Sequence, residues 1–138
     1  MIFTTTLSVA TRGFTDIRDL TPQIRAALQE SGLQNGSVTV FVAGSTAGIT
    51  TIEFEPGLLQ DLPAAFEKIA PMHAAYAHDN TWHDGNGYAH VRAALLGPSL
   101  VAPFSRGELL LGTWQQIVLV DFDNRPRHRE IVAQFAGE

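Results

Sequence analysis

The chain contains no cysteine. That absence excludes disulfides, thiolate zinc sites, iron–sulfur clusters and thiol nucleophiles. Any bound metal must be held by histidine, carboxylate, amide or backbone oxygen. No apolar run approaches the ~20 residues that span a bilayer. No basic region followed by a long apolar segment opens the chain, so no signal peptide shows. These absences lead us to expect a cytoplasmic protein with no membrane partner. The formal net charge of −5 leads us to expect no nucleic-acid partner. Two catalytic signatures are also missing. No Gly-Lys-Ser/Thr ending marks a Walker-type phosphate loop, and no nucleophile elbow surrounds Ser45, Ser99 or Ser105. The histidines form no tight His-x3-His helical pair.

What is present fits an ordinary globular protein. The 138 residues, 45% hydrophobic and 17% charged, suit one domain over 1–138 with its own core. No internal repeat or linker interrupts them. Phe3, Thr5, Leu7 and Val9 share one side of a first strand. Thr21-Pro22 reads as a helix start, Leu20, Ile24 and Leu28 as its apolar face, and Gly32 as its stop, which predicts a helix over 16–31. Val38, Val40 and Val42 alternate through a strand over 37–43. A second β-branched strand runs from Ile49 to Phe54. Leu58, Leu59, Leu62, Phe66 and Ile69 outline a second helix, in which Pro63 predicts a kink or restart. Residues 90–96 suit a short helix. Strands are expected over 99–104, 108–112, 114–123 and 128–135, the last three as an antiparallel meander. Strands outnumber helices without alternating with them, so the expected class is α+β, largely antiparallel, with two main helices.

Three stretches carry candidate chemistry. The first, Tyr76 to His90, has little hydrophobic periodicity and holds His78, His83 and His90 among Asp79, Asp84 and Asn86. Neutral imidazole suits zinc and other transition ions, and carboxylates add charge compensation or orient an imidazole N–H. The same composition also describes a solvent-exposed turn. In the second, Gly44-Ser45-Thr46-Ala47-Gly48, small hydroxyl residues at a strand break suit a phosphate cradle or a β-bulge. Glu53 is a lone carboxylate closing the strand that follows. The third is Gly112-Thr113-Trp114-Gln115-Gln116, where a regular strand would turn one glutamine inward. Arg125, Arg127, His128 and Arg129 form the densest basic run. It reads most simply as a solvated turn, with anion binding as the alternative.

Several pieces in order resemble one known family. They are Ser45-Thr46-Ala47-Gly48-Ile49-Thr50 with Glu53, Tyr76 with His78-Asp79, Asp84-Gly85-Asn86 with Ala89-His90, Leu95-Leu96-Gly97-Pro98-Ser99, and Gly107 with Gly112-Thr113-Trp114-Gln115. Together they resemble the YjbQ-like family across nearly the whole chain. That family is often labelled a secondary thiamine-phosphate synthase, which joins a pyrimidine methyl pyrophosphate to a thiazole phosphate with loss of pyrophosphate.

The resemblance implies a compact α+β domain and a homotrimer with a polar site near its subunit contacts. It places the family's polar positions on Glu53, His78, Asp79, His90 and Gln115. Our expected roles are His78, His83 and His90 as metal ligands and Glu53, Asp79, Asp84 and Gln115 as catalytic groups. Ser45, Thr46 and Asn86 are expected to bind a phosphorylated or polar ligand. The imidazoles favour a divalent ion such as zinc over magnesium. A metal-dependent hydrolase and a non-catalytic metal- or anion-binding trimer are the alternative functions. The chain departs from the family's common His-Thr-Ser/Thr-Ala form at Gly44, and His83 is expected to replace the missing imidazole.

Overall fold

The computed structural model describes residues 1–138. In chain order its elements are β1 (Ile2–Thr11), β2 (Asp16–Asp19), α1 (Thr21–Ser31), β3 (Gly36–Val42), β4 (Ala47–Ile52), α2 (Leu58–Ile69), α3 (Ala77–Trp82), α4 (Gly87–Leu96), β5 (Ser99–Ser105), β6 (Glu108–Leu109), β7 (Gln116–Asp121) and β8 (Arg127–Gly137). The strands form a five-stranded sheet of order β1-β8-β3-β5-β6 and a three-stranded sheet of order β2-β7-β4. Every pairing is antiparallel. The class is α+β, as expected.

Residue alternation sets the layers. In β7, Ile117 and Leu119 point into a core shared with α1 and the larger sheet. Val118 and Val120 point the other way, onto Phe66 of α2 and Tyr88, Ala89 and Ala93 of α4. A strand buried on both faces reads as one apolar run, and Ile117–Val120 is such a run. It therefore sits between β2 and β4, covered on each side. In β8, Arg129, Ile131, Ala133 and Phe135 are buried while Glu130 and Gln134 are exposed. This parity turns Arg129 inward at the start of the strand.

Two expectations are corrected. The helix predicted over 16–31 begins only at Thr21; Asp16–Asp19 is a strand, with Ile17 paired to Val120. The left-handed Phe14 and Thr15 turn the chain into that strand. The two main helices are α1 and α2; the short helix expected over 90–96 is α4, which begins earlier, at Gly87, and α3 is an additional short helix within the aperiodic 72–90 stretch. The predicted meander is absent. β6, β7 and β8 are not neighbours, since β7 needs cover on both faces and β8 pairs with β1 at the other end of the chain. Of the kink or restart expected at Pro63, α2 shows no restart and continues from Leu58 to Ile69.

Candidate active site

The floor of the site follows from strand parity. Asp121 shares its side of β7 with Ile117 and Leu119, and pairs across the strands with Ala47 and Asp16. Arg129 faces it from β8. Its Nε and Nη2 donate to the two oxygens of Asp121 at 2.7 and 2.8 Å. Nη2 also donates to the Thr46 hydroxyl at 2.7 Å. The Thr11 hydroxyl donates to Asp121 at 2.6 Å.

Asp123 is held in the same way. It accepts from the Thr46 hydroxyl at 3.0 Å, the Asn86 amide at 3.3 Å and Arg127 Nε at 2.8 Å. Both aspartates are fully buried. Burial alone would raise the Asp123 pKa. The Asn124 N–H, Asn86, Thr46 and Arg127 outweigh it and hold the carboxyl below its ordinary value. Two buried carboxylates thus meet two guanidiniums in charge-assisted pairs: Arg129 forks onto both oxygens of Asp121, and Arg127 sets Nε and Nη2 on the Oδ2 of Asp123.

The rim is built by α3 and α4. Asp79 accepts the N–H of Gly87 at 2.9 Å and so ties the start of α4 to α3. Gly87 is required at this crossing, because a Cβ there would stand 2.5 Å from the Tyr76 Cβ. The tie brings the donor atoms of His78, Asp79 and Asp84 within 4.8 Å of one another. His78 Nδ1 lies 3.7 Å from Asp79 and 3.6 Å from Asp84. Both separations are too long for a hydrogen bond, and His78 Nδ1 is buried with no partner. Asn86 Oδ1 is likewise buried and unpartnered.

The spacing fits a metal ion. Ligands about 2.0–2.1 Å from a tetrahedral ion stand about 3.4 Å apart, close to the gaps around His78. An imidazole nitrogen with two carboxylates is also a donor set that leaves a coordination position open. The His90 ring packs against His78 with centroids 4.1 Å apart. Partial burial, then the neighbouring His78, push the His90 pKa below 6.5. His90 is therefore neutral at pH 7, able to accept a proton or offer a lone pair.

Floor and rim enclose a cleft of about 400 Å³, lined by Gly44, Ser45, Thr46, His78, Trp82, Asp84, Asn86, His90, Arg127 and Arg129. An adjoining recess of about 320 Å³ shares Gly44, Ser45 and His90 and adds Ala47, Ala93, Ala94 and Pro98. One side of the site is thus polar and the other lined by small apolar groups.

The structure gathers His78, Asp79, Asp84, Asn86, His90, Ser45 and Thr46 here. It does not bring in the others. His83 is the exposed, left-handed C-cap of α3 and lines no part of the cleft. The space in front of Gly44 is taken by Arg129, with no atom of His83 within 4 Å of a Cβ placed there. Glu53 is exposed just past β4, roughly 20 Å along the strand from Thr46 at ordinary strand rise. Gln115 lies by that end too, donating to Thr51 at 3.1 Å and accepting from Gly112 at 3.0 Å.

The expected solvated turn at Arg125–Arg129 is also corrected, since Arg127 and Arg129 pair with buried aspartates. Asp121 and Asp123 were missed by the sequence reading. Their signal was two alternate carboxylates closing an apolar strand, followed by two alternate arginines opening the next.

The comparisons with known proteins agree with this architecture. The model of the family described as UPF0047 protein YjbQ-like matches residues 5–138. A UPF0047 protein of Methanothermobacter thermautotrophicus is 36% identical over 137 residues, covering 99% of this chain and 94% of that protein. The UPF0047 protein YugU of Bacillus subtilis is 32% identical over 134 residues, covering 96% and 98%. A solved YbjQ-like protein of unknown function from Sulfolobus solfataricus superposes with a TM-score of 0.94 at 33% identity, covering 100% of this chain and 99% of that one.

Proposed function

The chain belongs to the UPF0047, YjbQ-like family, and from that premise we propose that its cleft is the active site of a metal-dependent enzyme acting on a small phosphorylated substrate. The observation that carries this reading is the buried, unpartnered Nδ1 of His78 between two carboxylates. A buried polar atom left without a partner costs about 1–3 kcal/mol. A cation satisfies this one together with Asp79 and Asp84.

Zinc, or another transition ion that accepts imidazole, suits the set better than magnesium. When bound, such an ion supplies Lewis-acid polarisation of a phosphoryl oxygen. The chain's own residues do the rest. When the attacking group is water or a hydroxyl, His90, neutral at pH 7, takes its proton at the ring nitrogen. Arg127 and Arg129 present guanidinium N–H groups to the phosphate, oriented by Asp123 and Asp121. The apolar recess beside Ala47 and Ala93 receives the carbon portion of the substrate.

Water as the attacking group gives hydrolysis. An organic acceptor with pyrophosphate as the leaving group gives a transfer of the thiamine-phosphate synthase kind. A homotrimer is part of the same proposal. Val101 and Leu110 are 63% and 57% exposed beside Gln115, on a recess that a second copy would cover.

The test is turnover. Protein stripped by a chelator and reloaded with zinc should release phosphate or pyrophosphate from some member of a panel of phosphorylated metabolites. The stripped protein should not. Equal release with and without metal would overturn the reading.

A further inference from the structure

Arg129 is a guanidinium with one end used and one end free. Its side chain is nine-tenths buried. Nε and Nη2 are committed to Asp121 and Thr46. Nη1 makes no hydrogen bond within the chain and lies against Gly44, which lines the cleft with Arg129. Arg127 repeats the arrangement, with Nε and Nη2 on Asp123 and Nη1 free.

The reason Arg129 Nη1 can reach the cleft lies at Gly44. A Cβ on that residue would stand 2.8 Å from Nη1, closer than any real side chain tolerates. An unrestrained arginine would swing aside at little cost. This one is forked onto a fully buried carboxylate, so moving Nη1 means loosening the Asp121 pair. Gly44 does not have the left-handed backbone that would itself demand glycine. Its missing side chain therefore matters for space and not for backbone conformation.

We propose that Gly44, by carrying no side chain, opens a phosphate subsite. In it the free Nη1 groups of Arg129 and Arg127 and the hydroxyl of Ser45 hold one tetrahedral phosphate of the substrate. The subsite fills more tightly when a cation sits at His78, Asp79 and Asp84. This rests on the metal-dependent reading above and adds the residue that decides which ligand is taken.

The coupling follows from the charges. Asp121 and Asp123 offset Arg129 and Arg127 one for one. Asp79 and Asp84 leave the rim negative. A dianion entering the cation-free cleft meets donors of the right geometry in an unfavourable field, and a divalent cation reverses that field. Binding energies of the two ligands are then linked, each strengthening the other by the same factor.

The experiment is calorimetric titration of inorganic phosphate into zinc-loaded and zinc-free protein, with Gly44→Ala in parallel. Phosphate should bind the zinc-loaded parent at least about tenfold more tightly than the zinc-free parent, as expected for losing one or more charge-assisted contacts. Gly44→Ala should hold as much zinc as the parent yet bind phosphate about tenfold more weakly. Unchanged phosphate affinity in zinc-loaded Gly44→Ala overturns the subsite while the metal reading stands. So does a zinc-loaded parent that binds no phosphate. A parent that takes up no zinc overturns both. If Gly44→Ala fails to load zinc, Ser45→Ala carries the test. Ser45 is exposed on the cleft, and its replacement should weaken phosphate several-fold. No change there overturns the proposal.

Discussion

The aspartates of the floor and of the rim of the cleft serve opposite ends. On the floor, every oxygen of Asp121 and Asp123 has a partner, and Arg129, Arg127, Thr46, Thr11 and Asn86 are locked against them. On the rim, His78 Nδ1 has none, and the carboxylates of Asp79 and Asp84 sit just beyond hydrogen-bond reach of it. A saturated ionic network holds geometry. An unsaturated one beside it leaves a buried imidazole nitrogen without a partner. The contrast separates the two regions by how their polar atoms are satisfied, which a count of charged residues does not do.

The contrast breaks first at the floor. Replacing Asp121 by Ala leaves Arg129 charged and unpaired in the interior. Removing one partner of a buried pair typically costs about 3–5 kcal/mol, so urea denaturation of Asp121→Ala should show a loss of that size. A loss under about 1 kcal/mol would mean that the floor is wetter than its geometry indicates.

Acid sharpens the same comparison. His90 has a folded pKa depressed below 6.5, so it favours the folded state fully above that pH. Its contribution is lost as pH falls through the depressed value. Asp123 is depressed below 3.8, so its contribution persists above that and is lost only in stronger acid. The metal-free protein should therefore lose stability in two windows, rim first and floor last. His90→Asn should flatten the first window in a denaturation series across pH and leave the second unchanged.

The smallest effect is expected furthest from both regions. Glu53 is exposed and away from the cleft. Glu53→Gln should change stability by less than about 0.5 kcal/mol and leave zinc content unaltered. A loss of zinc in that variant would mean that a second copy of the chain brings Glu53 to the site.

Much of the fold was legible because strand alternation and helix stops are local signals. The valines of 37–43 marked β3, and Gly32 marked the end of α1 with a left-handed backbone. Strand order was not legible. Nothing local in Arg127–Gly137 says that its partner is Ile2–Thr11, which is set by how the layers close. The short polar strand Asp16–Asp19 escaped for the same reason, having one buried residue, Ile17, to announce it.

In the site, the His/Asp-rich 76–90 stretch was readable from composition. Which of its histidines turn inward was not. His83 leaves the cleft because it takes the left-handed C-cap of a six-residue helix. Arg129 looked like part of a solvated turn, because its burial depends on strand parity counted back from Phe135, Ala133 and Ile131.

The proposed cation site at His78, Asp79 and Asp84 is open to direct measurement. It is tested most directly by the metal content of the protein after zinc loading and extensive dialysis, with His78→Ala beside it. One zinc per chain is expected in the parent and its loss in the variant, with the metal-free stabilities nearly equal. A parent that emerges without zinc, or a variant that retains as much as the parent, would contradict it.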